Sequence, residues 1–150
     1  MGINVRTKGA GGEREIADDL NYIVYSLMKE LGMDNPTMQS IQRNQNQTAV
    51  GGADLTGTFG LAIEVKRQET LSVNTWWAQC LASANKRNEI PVLLYRQNQK
   101  KWKCVLGISV PVDATANLMA RGEVDYDTFK NMFQLRARRM LLDGSYEVKV

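Results

Sequence analysis

Two carboxylates and one amine in this sequence have the spacing of a metal-dependent active site. Asp54 and Glu64 are ten residues apart across a turn that contains Gly57 and Gly60, and Lys66 follows Glu64 by two positions. A hairpin of this length can bring the two carboxylates to neighbouring strands at one end of a sheet. Adjacent carboxylates repel each other unless a cation lies between them, and hard oxygen ligands suit Mg²⁺ or Mn²⁺. Lys66 points to the same face as Glu64, where it can orient a water molecule or offset charge on a phosphate.

A third carboxylate, Glu13, lies in the first turn of a predicted helix, where the helix dipole favours negative charge. It can join the other two if the fold brings the start of this helix to the hairpin. The sequence contains no histidine, which excludes Ser-His-Asp and Cys-His catalysis, zinc sites of the His-Glu-x-x-His kind and nucleases with a histidine base. Cys80 and Cys104 are too few for a four-thiolate zinc site, and we expect free, buried thiols. The net charge of +3 permits an anionic partner without requiring one.

Hydrophobic periodicity predicts the elements that position these residues. Apolar residues at three-and-four spacing predict a helix over 13–31, and the alternation of Leu61, Ile63 and Val65 predicts a strand over 61–66. The same reasoning predicts a helix over 75–88, strands over 90–95 and 102–108, and helices over 113–121 and 125–142. This order predicts an α/β fold in which a small mixed β-sheet is flanked by helices. We expect one domain over 1–150, with a flexible, glycine-rich basic arm at 1–12 and C-terminal helices over 113–150.

The pattern of Asp54, then Glu64-Val65-Lys66, after a helix-borne Glu13, resembles the PD-(D/E)XK nuclease superfamily. The N-terminal run Arg6-x-Lys8-Gly9 followed by Gly12-Glu13-Arg14-Glu15-Ile16 is similar to the opening of archaeal-type Holliday-junction resolvases and their phage relatives. The resemblance implies a restriction-endonuclease-like core with Lys66 as the catalytic lysine. It also implies that Mg²⁺, or Mn²⁺ in its place, is held by the carboxylates of Glu13, Asp54 and Glu64 and by the backbone carbonyl of Val65. Ala53 stands where the family has a proline, and residues 113–150 lie outside the resemblance.

Several polar residues are candidates for contact with DNA. Arg6 and Lys8 can grip phosphates from the basic arm, although a terminal arm can also be simply disordered. Gln79 lies on the helix after the core, where many members of the superfamily carry a glutamine. The full predicted set is Arg6, Lys8, Arg14, Arg43, Arg67 and Gln79. In contrast, we interpret Lys100, Lys101 and Lys103, in and beyond a turn, as solubilising residues.

Together these features predict a Mg²⁺-dependent, structure-selective endodeoxyribonuclease that resolves four-way DNA junctions in recombination and repair. Symmetric cleavage of two strands requires two active sites, so the resemblance implies a homodimer. We expect the cytoplasm of a bacterial or phage-infected cell, because no stretch approaches the roughly 18–20 apolar residues of a membrane span. Two alternatives remain open: a restriction-type or repair endonuclease of the same superfamily that cuts linear duplex, and a non-catalytic DNA-binding or assembly module.

Overall fold

The computed structural model describes residues 5–45 and 53–146, with side chains from residue 9 onward. These residues contain three helices and six strands, joined by loops and turns. In chain order they are α1 (Val5–Glu30), β1 (Gln42–Arg43), β2 (Leu55–Thr56), β3 (Leu61–Arg67), α2 (Val73–Arg87), β4 (Ile90–Arg96), β5 (Lys103–Pro111), β6 (Asn117–Asp125) and α3 (Tyr126–Asp143).

The strands form a mixed sheet of order β3-β4-β5-β6 and a small antiparallel pair, β1 with β2. β3 and β4 run parallel, whereas β5 is antiparallel to both of its neighbours. The parallel pair needs a crossover connection, and α2 provides it. The predicted α/β fold, a small mixed sheet flanked by helices, is confirmed.

The helices cover both faces of the four-stranded sheet. Alternate residues of β3 and β4, among them Ile63 and Leu94, pack with α1 and α3 in the larger core. The residues between them face α2, where Leu93 packs with Trp76 and Ala62 packs with Ala84. Since both faces are covered, β3 and β4 are buried along most of their length, as expected for parallel strands. None of the described helices is long and apolar enough to cross a membrane.

The N-terminal prediction was wrong for the residues that the structure describes. Residues 5–12 form the first turns of α1 instead of a flexible arm, and Glu13 is the ninth residue of that helix rather than part of its first turn. The reason is tertiary packing around Gly12: a Cβ atom there would lie 3.0 Å from the Trp102 ring and 3.4 Å from Val65. A glycine at this position lets the helix approach the sheet closely. Residues 1–4 of the predicted arm lie outside the described residues.

The C-terminal prediction was wrong over 113–121, where a helix was expected. Residues 117–125 form β6 instead, in an antiparallel hairpin with β5 whose register pairs Lys103 with Asp125 and Pro111 with Asn117. The sequence does alternate here: small and apolar residues recur at every second position from Leu118 to Val124. These side chains face the same way as Cys104 and Leu106 of β5, so the pairing partner decided between strand and helix. The predicted helix over 125–142 is confirmed as α3.

Candidate active site

The site is built on the open edge of β3. In a strand, the N–H and C=O groups of one residue point to the same side, so those of Ile63 and Val65 point away from β4. Asp54 meets this edge twice: its backbone N–H donates to the Ile63 carbonyl at 2.9 Å, and its Oδ2 accepts from the Val65 N–H at 2.6 Å. These two bonds hold Asp54 beside the middle of β3. The Val65 carbonyl points to the same edge of β3 as its N–H.

Glu64 lies next to this edge, on the face of the sheet that α2 covers. Its Oε1 accepts a hydrogen bond from the Ser83 hydroxyl at 3.3 Å. Asp54 and Glu64 are each 7% exposed, and they are the two acidic or basic residues that are buried among those described. Burying two carboxylates side by side is costly for a fold, so their adjacency calls for a compensating cation or proton.

The electrostatics of Glu64 reflect this cost. The pKa of Glu64 is raised to about 8, first by burial and then by the charge of Asp54 and a hydrogen bond shared with it. Lys66 and Ser83 act in the opposite direction and lower this pKa. At neutral pH the pair therefore retains a proton when no other cation is bound. The two carboxylates and the adjacent carbonyl of Val65 are hard oxygen donors, which fit a divalent cation that would replace that proton.

Glu13 reaches the same region from α1. Its Oε2 is paired with Arg43 Nε of β1 at 2.7 Å. Burial raises the pKa of Glu13, and Asp54 contributes in the same direction, whereas Arg43 and Lys66 lower it. Within 5–45 and 53–146, no three carboxylate, thiol or imidazole side chains are close enough to hold a metal ion together. The structure thus joins Asp54 to Glu64 and gives Glu13 a guanidinium partner, and the assignment of Glu13 as a ligand stays a prediction.

Lys66 completes the group. It follows Glu64 by two positions on the same face of β3, is half-buried, and is the cross-strand neighbour of Tyr95 in β4. Its positive charge lowers the pKa of both Glu13 and Glu64, which places its ammonium group within electrostatic range of each carboxylate. The arrangement can bind a divalent cation and hold a positive charge beside a phosphate.

A family model described as phage putative PDDEXK endonuclease matches residues 4–142 of the sequence. The chain belongs to this family. The match confirms the resemblance to the PD-(D/E)XK superfamily. No curated protein matches the chain. Among solved structures, the chain is similar to the Holliday-junction resolvase Hjc of Archaeoglobus fulgidus, at 19% sequence identity and a TM-score of 0.31, over 71% of this chain and 86% of that one.

The remaining predicted DNA contacts of this PD-(D/E)XK family member are dispersed. Arg14 is exposed on α1, and Gln79 is exposed on α2 one turn before Ser83. Arg67 is half-buried on the face of the sheet opposite Lys66, and a Cβ atom at Gly11 would lie 3.8 Å from its Nη1. The side chains of Arg6 and Lys8 lie outside the described residues. These DNA-binding assignments all stay predictions.

Sequence reasoning missed Ser83, the hydroxyl that binds Glu64. The signal was present, because Ser83 follows Gln79 by four positions and residues at that spacing share one face of a helix. It also missed the pairing of Glu13 with Arg43, which joins residues 30 positions apart and has no local signature.

Proposed function

We propose that this protein is a divalent-cation-dependent endodeoxyribonuclease that cuts four-way DNA junctions. The observation that carries the proposal is the buried pair of Asp54 and Glu64 beside Lys66. A fold has no structural reason to bury two adjacent carboxylates, since apolar residues would stabilise the same positions better. The family match, to proteins described as endonucleases, supports the same chemistry.

Asp54, Glu64 and the Val65 carbonyl would hold the cation, with Glu13 as the further predicted ligand. A bound Mg²⁺ or Mn²⁺ supplies Lewis-acid activation of a phosphodiester and a lower pKa for water. The chain supplies the rest. The Val65 N–H orients the Asp54 carboxylate, Ser83 orients Glu64, and the Lys66 ammonium stabilises negative charge on the phosphate during hydrolysis.

The junction specificity and the assembly belong to the proposal as well. A four-way junction has two equivalent strands to cut, so we infer a homodimer that carries one active site per protomer, each a single domain over 1–150. The enzyme would recognise branch shape through phosphate contacts, without reading bases. Since the matching family is described as a phage family, we place the enzyme in the cytoplasm of an infected bacterial cell, in recombination or repair of DNA.

The test offers a synthetic four-way junction in competition with linear duplex of matched sequence, with Mg²⁺ or with EDTA. We expect junction cleavage that requires Mg²⁺ and disappears in Asp54→Asn. Equal cleavage of the linear duplex would replace the resolvase assignment by a duplex-cutting endonuclease of the same superfamily. The absence of any Mg²⁺-dependent cleavage, with DNA binding retained, would indicate a non-catalytic DNA-binding module.

A further inference from the structure

A cationic cavity lies one strand away from Lys66. It has a volume of about 350 Å³ and occupies the end of β4 and the turn from β4 to β5. Four of its lining residues are positively charged, and none of its lining residues is acidic. These are Arg96, Lys100, Lys101 and Lys103, which surround Tyr95 and Leu71.

The position of this cavity relates it directly to the active site. Tyr95 is the register partner of Lys66, and both side chains lie on the α2 face of the sheet. Neighbouring strands are about 4.8 Å apart, so the cavity begins about one strand spacing from the catalytic lysine. A polyanion that binds at Lys66 and runs across the ends of the strands toward β5 therefore passes over this turn.

The cations of the cavity are only partly neutralised. Lys103 pairs with Glu123 at 3.8 Å, and Arg96 Nη1 pairs with Glu15 at 3.4 Å. The Arg96 guanidinium lies on the opposite face of the sheet, beside Glu15 and Trp102, so the lysines carry the positive charge on the Tyr95 side. Lys100 and Lys101 are exposed, and no carboxylate of the described residues lies within ion-pair distance of either.

The backbone of the turn that carries the lysines is held in place. The backbone N–H of Asn98 donates to Glu69 Oε1 at 2.8 Å, and Gln97 Nε2 donates to the Glu69 carbonyl at 2.8 Å. Preorganised cations lose less conformational entropy when an anion binds.

The opposite side of the same turn has different chemistry. A cavity of about 480 Å³ there shares Arg96, Lys100 and Lys101 but is also lined by Glu15, Asp125 and Asp127. Three carboxylates line this second cavity, so it does not suit an anion. On the Tyr95 side, Glu123 accepts from the Tyr95 hydroxyl at 3.0 Å and pairs with Lys103, so Lys100 and Lys101 are the cations that favour an anion there.

We propose that the cavity on the Tyr95 side is a phosphate-binding subsite for the DNA strand that is cut, about one or two nucleotides from the cleaved bond. This inference rests on the proposed function in taking DNA as the polyanion. It also revises the interpretation of Lys100, Lys101 and Lys103 as merely solubilising residues. The subsite holds the strand in register while Lys66 and the carboxylates act on the neighbouring phosphate.

The test measures binding of a four-way junction in EDTA, so that it does not depend on cleavage. The variant is Lys100→Gln/Lys101→Gln. Its matched control is Lys86→Gln/Arg87→Gln, which removes the same charge from the exposed C-terminal turn of α2, at the opposite end of the parallel strands. We expect the Kd of the first variant to rise about 10-fold and its salt slope to fall by about 1 to 2, because each lost phosphate contact removes about 0.9 from the slope. The control keeps a salt slope within about 0.5 of the wild type.

Protection of lysines from acetylation by bound DNA gives a second readout. We expect Lys100 and Lys101 to be protected by the junction and Lys86 to remain reactive. Equal salt slopes in the two double variants, or equal protection of Lys100 and Lys86, would overturn the subsite. The subsite would also be overturned if millimolar inorganic phosphate protected these lysines as well as DNA does. That result would indicate a site for free anions.

Failure of the nuclease proposal has a different signature. If the wild type shows no Mg²⁺-dependent cleavage but the binding difference between the variants holds, the cavity stands as a DNA-phosphate site and the enzyme assignment falls. If the wild type cleaves and the two double variants bind equally, the enzyme assignment stands and the subsite falls.

Discussion

Glu64→Gln should stabilise the metal-free protein at alkaline pH while it removes catalysis. In the wild type the folded protein holds the pKa of Glu64 at about 8, above its ordinary value of 4.5, so the folded state binds this proton more tightly than the unfolded state does. The contribution to stability is therefore fully present below about pH 4.5 and is lost as the pH rises through 8. Glutamine is neutral throughout, and its amide can donate to Asp54 in place of the shared proton.

The size of the effect follows from the pKa shift. From pH 5.5 to the pKa of about 8, each pH unit corresponds to about 1.4 kcal/mol, which gives an upper value of about 3.4 kcal/mol. Glu64 is coupled to Asp54 and can relax toward water, so we reduce this figure to about 2 kcal/mol. At pH 5.5 the difference between the two proteins should be smaller, because Glu64 is still protonated in the folded state there and only the unfolded state has ionised.

The assay is urea unfolding in EDTA at pH 5.5 and pH 8.5, for the wild type, Glu64→Gln and the control Asp18→Asn. Asp18 is an exposed acidic residue of α1, so its neutralisation leaves the buried pair intact. We expect the stability advantage of Glu64→Gln over the wild type to grow by about 2 kcal/mol from pH 5.5 to pH 8.5, and the control to follow the wild type at both values. A Glu64→Gln protein no more stable than the wild type at pH 8.5 would refute the account of the carboxylate pair as a strained, cation-requiring site.

Three further outcomes follow from the site and its packing. Mg²⁺ should raise the Tm of the wild type more at pH 8.5 than at pH 5.5, because the cation competes with the proton on Glu64. A series of thermal shift measurements checks this, and a shift that does not depend on pH would point to binding elsewhere. Asp54→Asn should lower junction cleavage about 10²–10³-fold in a gel assay. Its Kd for the junction, measured by fluorescence anisotropy, should stay within about 3-fold of the wild type. Comparable losses of cleavage and of binding would contradict a catalytic role. Gly12→Ala should lower the free energy of unfolding by about 1–2 kcal/mol, because the added Cβ would crowd Trp102. Gly9→Ala, whose Cβ meets nothing within 4 Å, should raise the free energy of unfolding by about 0.5 kcal/mol. Equal changes in denaturant unfolding would show that the helix does not need glycine at position 12.

Local sequence patterns predicted the strand that carries the chemistry. The alternation of residues 61–66 places Glu64 and Lys66 on one face and Val65 on the other, and the structure has this arrangement, because side chains alternate in any strand whatever it pairs with. The amphipathic spacing likewise predicted most of α1 and α3. The family resemblance rested on the same short-range motifs, and the family match confirms it.

Contacts between distant segments decided the rest. The sequence by itself determined the residue types of the site, the side of β3 on which Glu64 and Lys66 lie, and the α/β class, since these depend on periods of two and 3.6 residues. Only the tertiary structure decided that Gly12 packs under Trp102 within a helix, that Leu118 belongs to a strand, and that Glu13 pairs with Arg43. Gly12 and Glu13 depend on partners far along the chain, and Leu118 depends on its hairpin partner Val110 in β5. The energy of these contacts exceeds the small local preferences of glycine for flexibility or of a short apolar segment for a helix.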